Sequence, residues 1–234
     1  MKYFVVIVLA QIGLLLSLNA FDRTIQVTGE AEIRVIPDEV VITVAIETSN
    51  KDLIIAKQEN DTKSRQVKSI FQKSGVEEKY IKTDYITIEP RYETYPKKEF
   101  SGYFVTKRFV VTLKDLTKFE SLTTDILVGG VNYIHDITFR TTDLRKHRDT
   151  ARQMAIKAAK EKAVALATEL GMKVGKPFSI NENQSNYWYN YMRNERQMTQ
   201  NSMVELGSGS PSSDSFSPGM ITITATVAVS FEME

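Results

Sequence analysis

The chain has 234 residues, 42% of them hydrophobic and 25% charged, a composition that excludes wholesale disorder and is enough for a substantial core. Thirty lysines and arginines against 29 aspartates and glutamates leave a formal net charge of +1, so no basic excess points to nucleic acid. With no cysteine, disulfides, thiolate chemistry, cysteine-ligated metals and a lipidated N-terminal cysteine are excluded.

Met1-Lys2 precede an apolar run from Tyr3 to Leu18 broken only by Gln11, Gly13 and Ser17, and Ala20 supplies a small residue behind it. That order predicts a secretory signal over residues 1–20, cleaved after Ala20. The run falls short of the roughly 20 apolar residues that span a bilayer, and no later stretch approaches that length, so no transmembrane segment is expected after the leader.

From Arg23 to Pro37 the odd positions Ile25, Val27, Ala31, Ile33 and Val35 are apolar while Thr24, Gln26, Thr28, Glu30, Glu32 and Arg34 are polar, which predicts a half-buried strand. Gly29 in its middle implies a bulge or a close backbone approach. Pro37-Asp38-Glu39 turns the chain, and Val40, Ile42, Val44 and Ile46 resume the alternation, so the two runs read as an antiparallel hairpin. A helix capped at Asn50 or Asp52 follows, with Leu53, Ala56, Val67, Ile70 and Phe71 on one face and Gly75 as its stop.

A strand near Ile81–Glu89, a polar turn at Pro96-Lys97-Lys98 and a strand with Tyr103, Val105, Phe109, Val111 and Leu113 on one face predict a second hairpin. Asp115 caps a short helix carrying Phe119, Leu122 and Ile126, ended by Gly129-Gly130. A strand from Asn132 to Arg140 leads into the longest helix, Asp143 to Leu170. Its alanines at 151, 155, 158, 159, 163, 165 and 167 favour helix and let another backbone come close.

A short strand at Lys176–Asn183 precedes a tract, residues 184–217, that is too long for an ordinary connection and reads as a long loop insertion. The last strand alternates Ile221, Ile223, Ala225, Val227, Val229 and Phe231 with smaller residues. The order ββαββαβαββ predicts an α+β fold, mainly antiparallel sheet with helices packed on one face. Two linked lobes, 21–95 and 100–234, fit that order, with the last strand free to return to the first lobe.

Several segments carry a resemblance when taken together in order. They are Val27-Thr-Gly-Glu-Ala-Glu-Ile-Arg-Val-Ile-Pro-Asp38, Gly75 ahead of Ile81-Lys-Thr-Asp-Tyr85, Glu89-Pro-Arg-Tyr92, and Gly102-Tyr103. Ala151-Arg152 and Lys162-Ala163 within the long helix, and Gly219 before the last strand, complete the set. The chain resembles the SIMPL-domain family, the YggE-like proteins of bacterial envelopes associated with oxidative stress, from about Thr24 to Glu232. The resemblance implies a single SIMPL domain over 21–234 in the periplasm or on the outer membrane, and self-assembly into a homo-oligomer. It implies no catalytic residue and no cofactor.

Residue chemistry points the same way. His135 and His147 belong to no metal-ligand spacing, and His135 is expected to pack on the side shared with Tyr133, Ile137 and Phe139. Asp136, Asp143 and His147 are the one set that could converge on a cation, and nothing in their spacing requires it; no metal site is expected. No G-x-S-x-G elbow, S-x-x-K pair or Gly-rich phosphate loop is present, and Glu77-Glu78 lie at a helix end where exposure is the rule. The protein is therefore expected not to be an enzyme. The feature that stands out is the aromatic run Tyr187, Trp188, Tyr189 and Tyr191 with Arg193 beside it, residue types enriched at binding surfaces. It is the candidate interaction site, either for assembly or for an envelope protein or small ligand.

Overall fold

In the computed structural model, residues 23–93, 99–182 and 217–234 are described, and they form an α+β fold of two compact units. One unit comprises residues 34–93, 99–146 and 217–222; the other comprises 23–33, 147–182 and 223–234. The aromatic run 187–193 and the turn 94–98 lie outside the described residues.

The first unit is built on a four-stranded sheet. Its strands are β2 (Glu39–Asn50), β3 (Ile81–Glu93), β4 (Glu99–Leu113) and β5 (Tyr133–Arg140), in the order β3-β4-β2-β5. β2 pairs antiparallel with both β4 and β5, and β3 with β4. The helices α1 (Leu53–Lys73) and α2 (Phe119–Val128) supply Val67, Phe71, Leu122 and Ile126 to a core shared with Val40, Ile42, Val44 and Ile46 of β2 and Phe109, Val111 and Leu113 of β4. At roughly 1.5–3 kcal/mol per fully buried side chain of this size, that cluster is the main favourable term of the unit.

Local chemistry sets the ends of α1. The Asp52 carboxylate accepts from the amides of Ile54 at 2.8 Å and Ile55 at 3.2 Å, satisfying two of the donors that a helix start leaves orphaned. At the other end Gly75 adopts φ +90°, which lets its own amide reach Gln72 and the Val76 amide reach Phe71. Helices α2 and α3 (Leu144–Glu169) close with the same long bond, Val131 onto Ile126 and Met172 onto Ala167.

Two buried polar side chains, Asn60 of α1 and Thr48 of β2, tie the helix to the sheet. Asn60, fully buried, donates to the carbonyls of Ile46 on β2 (3.0 Å) and Val105 on β4 (2.8 Å), and its own oxygen accepts from Ser64. Thr48 of β2 donates to the Ala56 carbonyl at 2.8 Å. Each polar group thus enters the core already paired, which is what makes its burial tolerable.

The second unit places α3 against a three-stranded sheet of β1 (Thr24–Val35), β6 (Val174–Glu182) and β7 (Ile221–Met233), in the order β1-β7-β6. Ala151, Ala155, Ala159 and Ala163 of α3 are fully buried against Val27 of β1 and Ala225, Val227, Val229 and Phe231 of β7. Gly29 explains the alanines, and they explain it. A Cβ at position 29 would stand 2.8 Å from the Ala159 Cβ and 2.5 Å from its amide nitrogen, and would collide with the Ala155 carbonyl. The close backbone approach expected at Gly29 and the small-residue stripe expected on α3 are two sides of one contact.

Two expectations are corrected. β1 and β2 do not form a hairpin: they lie in different sheets. β2 is buried on both faces, at Val41 and Ala45 as well as at Val40, Ile42 and Val44, so it needs a neighbour along each edge and finds β4 and β5. The Pro37-Asp38 turn is spent elsewhere. The Asp38 amide donates to the Arg140 carbonyl, and its carboxylate accepts from the Thr142 amide (2.8 Å) and hydroxyl (2.7 Å). The division into lobes 21–95 and 100–234 also fails, because it would cut the β3–β4 pair, the antiparallel hairpin that the alternation predicted. The last strand does return to the first, since β7 is hydrogen-bonded beside β1.

Candidate functional site

The side of the four-stranded sheet away from α1 and α2 carries the densest polar cluster among the described residues, centred on Glu47. Strand alternation puts Glu47 opposite in sense to Ile46 and Thr48, which face α1. Its carboxylate then collects one partner from every other strand of the sheet. Arg91 of β3 binds it with both terminal nitrogens, Nη2 to Oε2 at 2.8 Å and Nη1 to Oε1 at 3.3 Å. Thr106 of β4 donates at 3.1 Å and the Tyr133 hydroxyl of β5 at 3.4 Å. The Glu47 amide is held separately by Asn132 Oδ1 at 2.8 Å.

Arg91 must cross β4 to reach β2, and it does so over the Phe104 ring, 4.1 Å from the centroid. Glu89, two residues back on β3, accepts from its Nε and Nη2 at 3.2 and 3.1 Å. Hydrogen bonding to Glu47 first, and to Glu89 after it, raises the Arg91 pKa above the usual arginine value. A carboxylate offers about four lone-pair sites, and at Glu47 four donor contacts fill them. Bidentate charge-assisted bonding of this kind fixes geometry. The Glu89-Pro-Arg-Tyr92 segment therefore works as a strap across the sheet.

Smaller closed pairs lie elsewhere among the described residues. Arg108 of β4 holds Asp84 of β3 through Nε at 3.0 Å and Nη2 at 2.6 Å and stacks over Tyr85. On the helix side, Asp61 of α1 accepts from Lys107 of β4 at 2.8 Å and from Lys57 at 2.6 Å. Those two bonds, Lys107 foremost, pull the Asp61 carboxyl down to about 2. In the other unit Arg152 of α3 binds Glu182 of β6 at 2.7 Å and Asp149 at 2.6 Å, and the bond to Glu182 raises its pKa.

His135 is not packed with Ile137 and Phe139. The β2–β5 register shifts between Thr43 and Val44, opposite Asp136 and Ile134, so His135 is the extra residue of a bulge and changes sides. It is exposed, stacked on Tyr133 with centroids 5.9 Å apart. Ile137 and Phe139 pack on the core. Glu77 and Glu78 sit in ion pairs with Lys79 and Lys68 at the surface. Among the described residues, no three histidines and carboxylates gather as a metal ion would need, and no helix is long and apolar enough to cross a membrane.

The sequence reading missed Glu47. A glutamate at an alternate position of a strand reads as solvent-facing, and only the placement of Arg91 over β4 shows otherwise. The signal that existed was the motif holding Arg91 and Glu89.

Known proteins resemble this chain. The model of the family SIMPL, "Protein of unknown function (DUF541)", matches residues 25–231. The "Uncharacterized protein YggE" of Edwardsiella ictaluri is 28% identical over 162 residues, 68% of this chain and 68% of that protein. Its namesake in Escherichia coli is 27% identical over 161 residues, 68% of this chain and 65% of that one. The "26 kDa periplasmic immunogenic protein" of Brucella melitensis is 26% identical over 165 residues, 68% of this chain and 66% of its own length. The chain thus spans just under two thirds of the Escherichia and Brucella relatives. Because the family model runs from the first strand to the last, the chain belongs to the SIMPL family.

Proposed function

We propose that this chain is an exported, non-enzymatic protein of the cell envelope that self-assembles and serves a structural or stress-tolerance role in the periplasm. The observation that carries the reading is a pair of sheet edges that are apolar and, among the described residues, paired on one side alone. Ile86, Ile88 and Tyr92 on β3, and Phe178 and Ile180 on β6, are all exposed on edge strands. Exposed apolar edges of this kind are templates for pairing with another chain unless something covers them. The polar clusters support the non-enzymatic reading, since Glu47, Asp61, Asp84 and Glu182 each spend their carboxylates on a neighbouring cation. The leader expected over residues 1–20 and the printed name of the Brucella relative support the periplasmic location.

Light scattering coupled to size-exclusion chromatography tests the assembly, and osmotic-shock fractionation of the expressing cell tests the location. A discrete particle of several chains released with the periplasmic fraction is expected. A monomer, or retention in the cytoplasm, contradicts the reading.

A second reading treats the chain as a periplasmic binding module that uses the aromatic run at 187–193 for a ligand or partner protein. It rests on the sequence of that run. Trp188 is the sole tryptophan, so its fluorescence reports directly. A shift on adding envelope glycans, peptides or lipids favours this reading; an unchanged spectrum counts against it.

A further inference from the structure

We draw no further inference here: the strongest candidate, the exposed apolar patch of Ile86 and Ile88 on the α1 side of β3, carries nothing because nothing in the structure shows what covers it.

Discussion

Replacing Gly29 by alanine tests the packing of the second unit with the smallest change available. The added methyl would lie 2.5 Å from the Ala159 nitrogen and 2.8 Å from the Ala159 Cβ, and it would run into the Ala155 carbonyl. Two of these obstacles are helix backbone, so no rotamer change relieves them; α3 must move away from β1. Overpacking of one methyl in a tight core costs about 1–3 kcal/mol, and an unyielding neighbour pushes toward the upper end. Against this, alanine restrains the unfolded chain more than glycine, a gain of roughly 0.5–1 kcal/mol. A net loss of about 1–2 kcal/mol remains, or roughly 2–8 °C in Tm for a chain of this size. Thermal and urea unfolding of Gly29→Ala beside Thr28→Ala, on the exposed face of the same strand, gives the comparison. An alanine at 29 as stable as the wild type, or stability that falls equally with Thr28→Ala, refutes the close-approach argument.

Four further outcomes follow. Glu47→Ala and Arg91→Ala should each destabilise the first unit, and a double-mutant cycle on urea unfolding should show them coupled by about 0.5–3 kcal/mol; strict additivity would mean that the strap contributes nothing. Asp61 has a depressed folded-state pKa, so its stabilisation is complete above the unfolded value near 4 and is lost as pH falls toward about 2. Asp61→Asn should flatten that part of the acid-unfolding profile, and an unchanged profile would sink the assignment. Asp38→Ala removes acceptors for the Thr142 amide and hydroxyl and should cost about 1–2 kcal/mol in urea unfolding, whereas Asp38→Asn, which still accepts, should cost less. Asn60→Leu leaves the Ile46 and Val105 carbonyls without their side-chain donor and should destabilise by about 1–3 kcal/mol despite adding apolar volume; a neutral result would contradict the role given to that side chain.

What the sequence disclosed and what it withheld divide along physical lines. Period-2 and period-3.6 patterns and the caps at Asp52, Gly75, Asp115 and Gly129-Gly130 are local, and they yielded the seven strands and three α-helices of the described residues in order. Pairing is not local. The β1–β2 hairpin failed because nothing in the alternation says that Val41 and Ala45 on the second face of β2 are buried too, or that Asp38 binds Thr142 across more than a hundred residues. Gly29 was legible because a glycine in a strand and a stripe of alanines in a helix each announce a close approach, and both announced the same one. Glu47 was not, since a carboxylate's partners on three other strands leave no trace in its own neighbourhood. His135 went wrong at a single bulge, which reverses every inference drawn from parity beyond it. The candidate interaction residues Tyr187, Trp188, Tyr189, Tyr191 and Arg193 fall outside the described residues, so their role rests on the sequence argument and on the fluorescence test above.

The proposed self-assembly of the chain is tested most directly by its mass in solution. Size-exclusion chromatography with light scattering on residues 21–234, over a hundredfold range of concentration, should return one discrete mass that is a multiple of the single chain. A mass equal to one chain throughout that range would contradict the account.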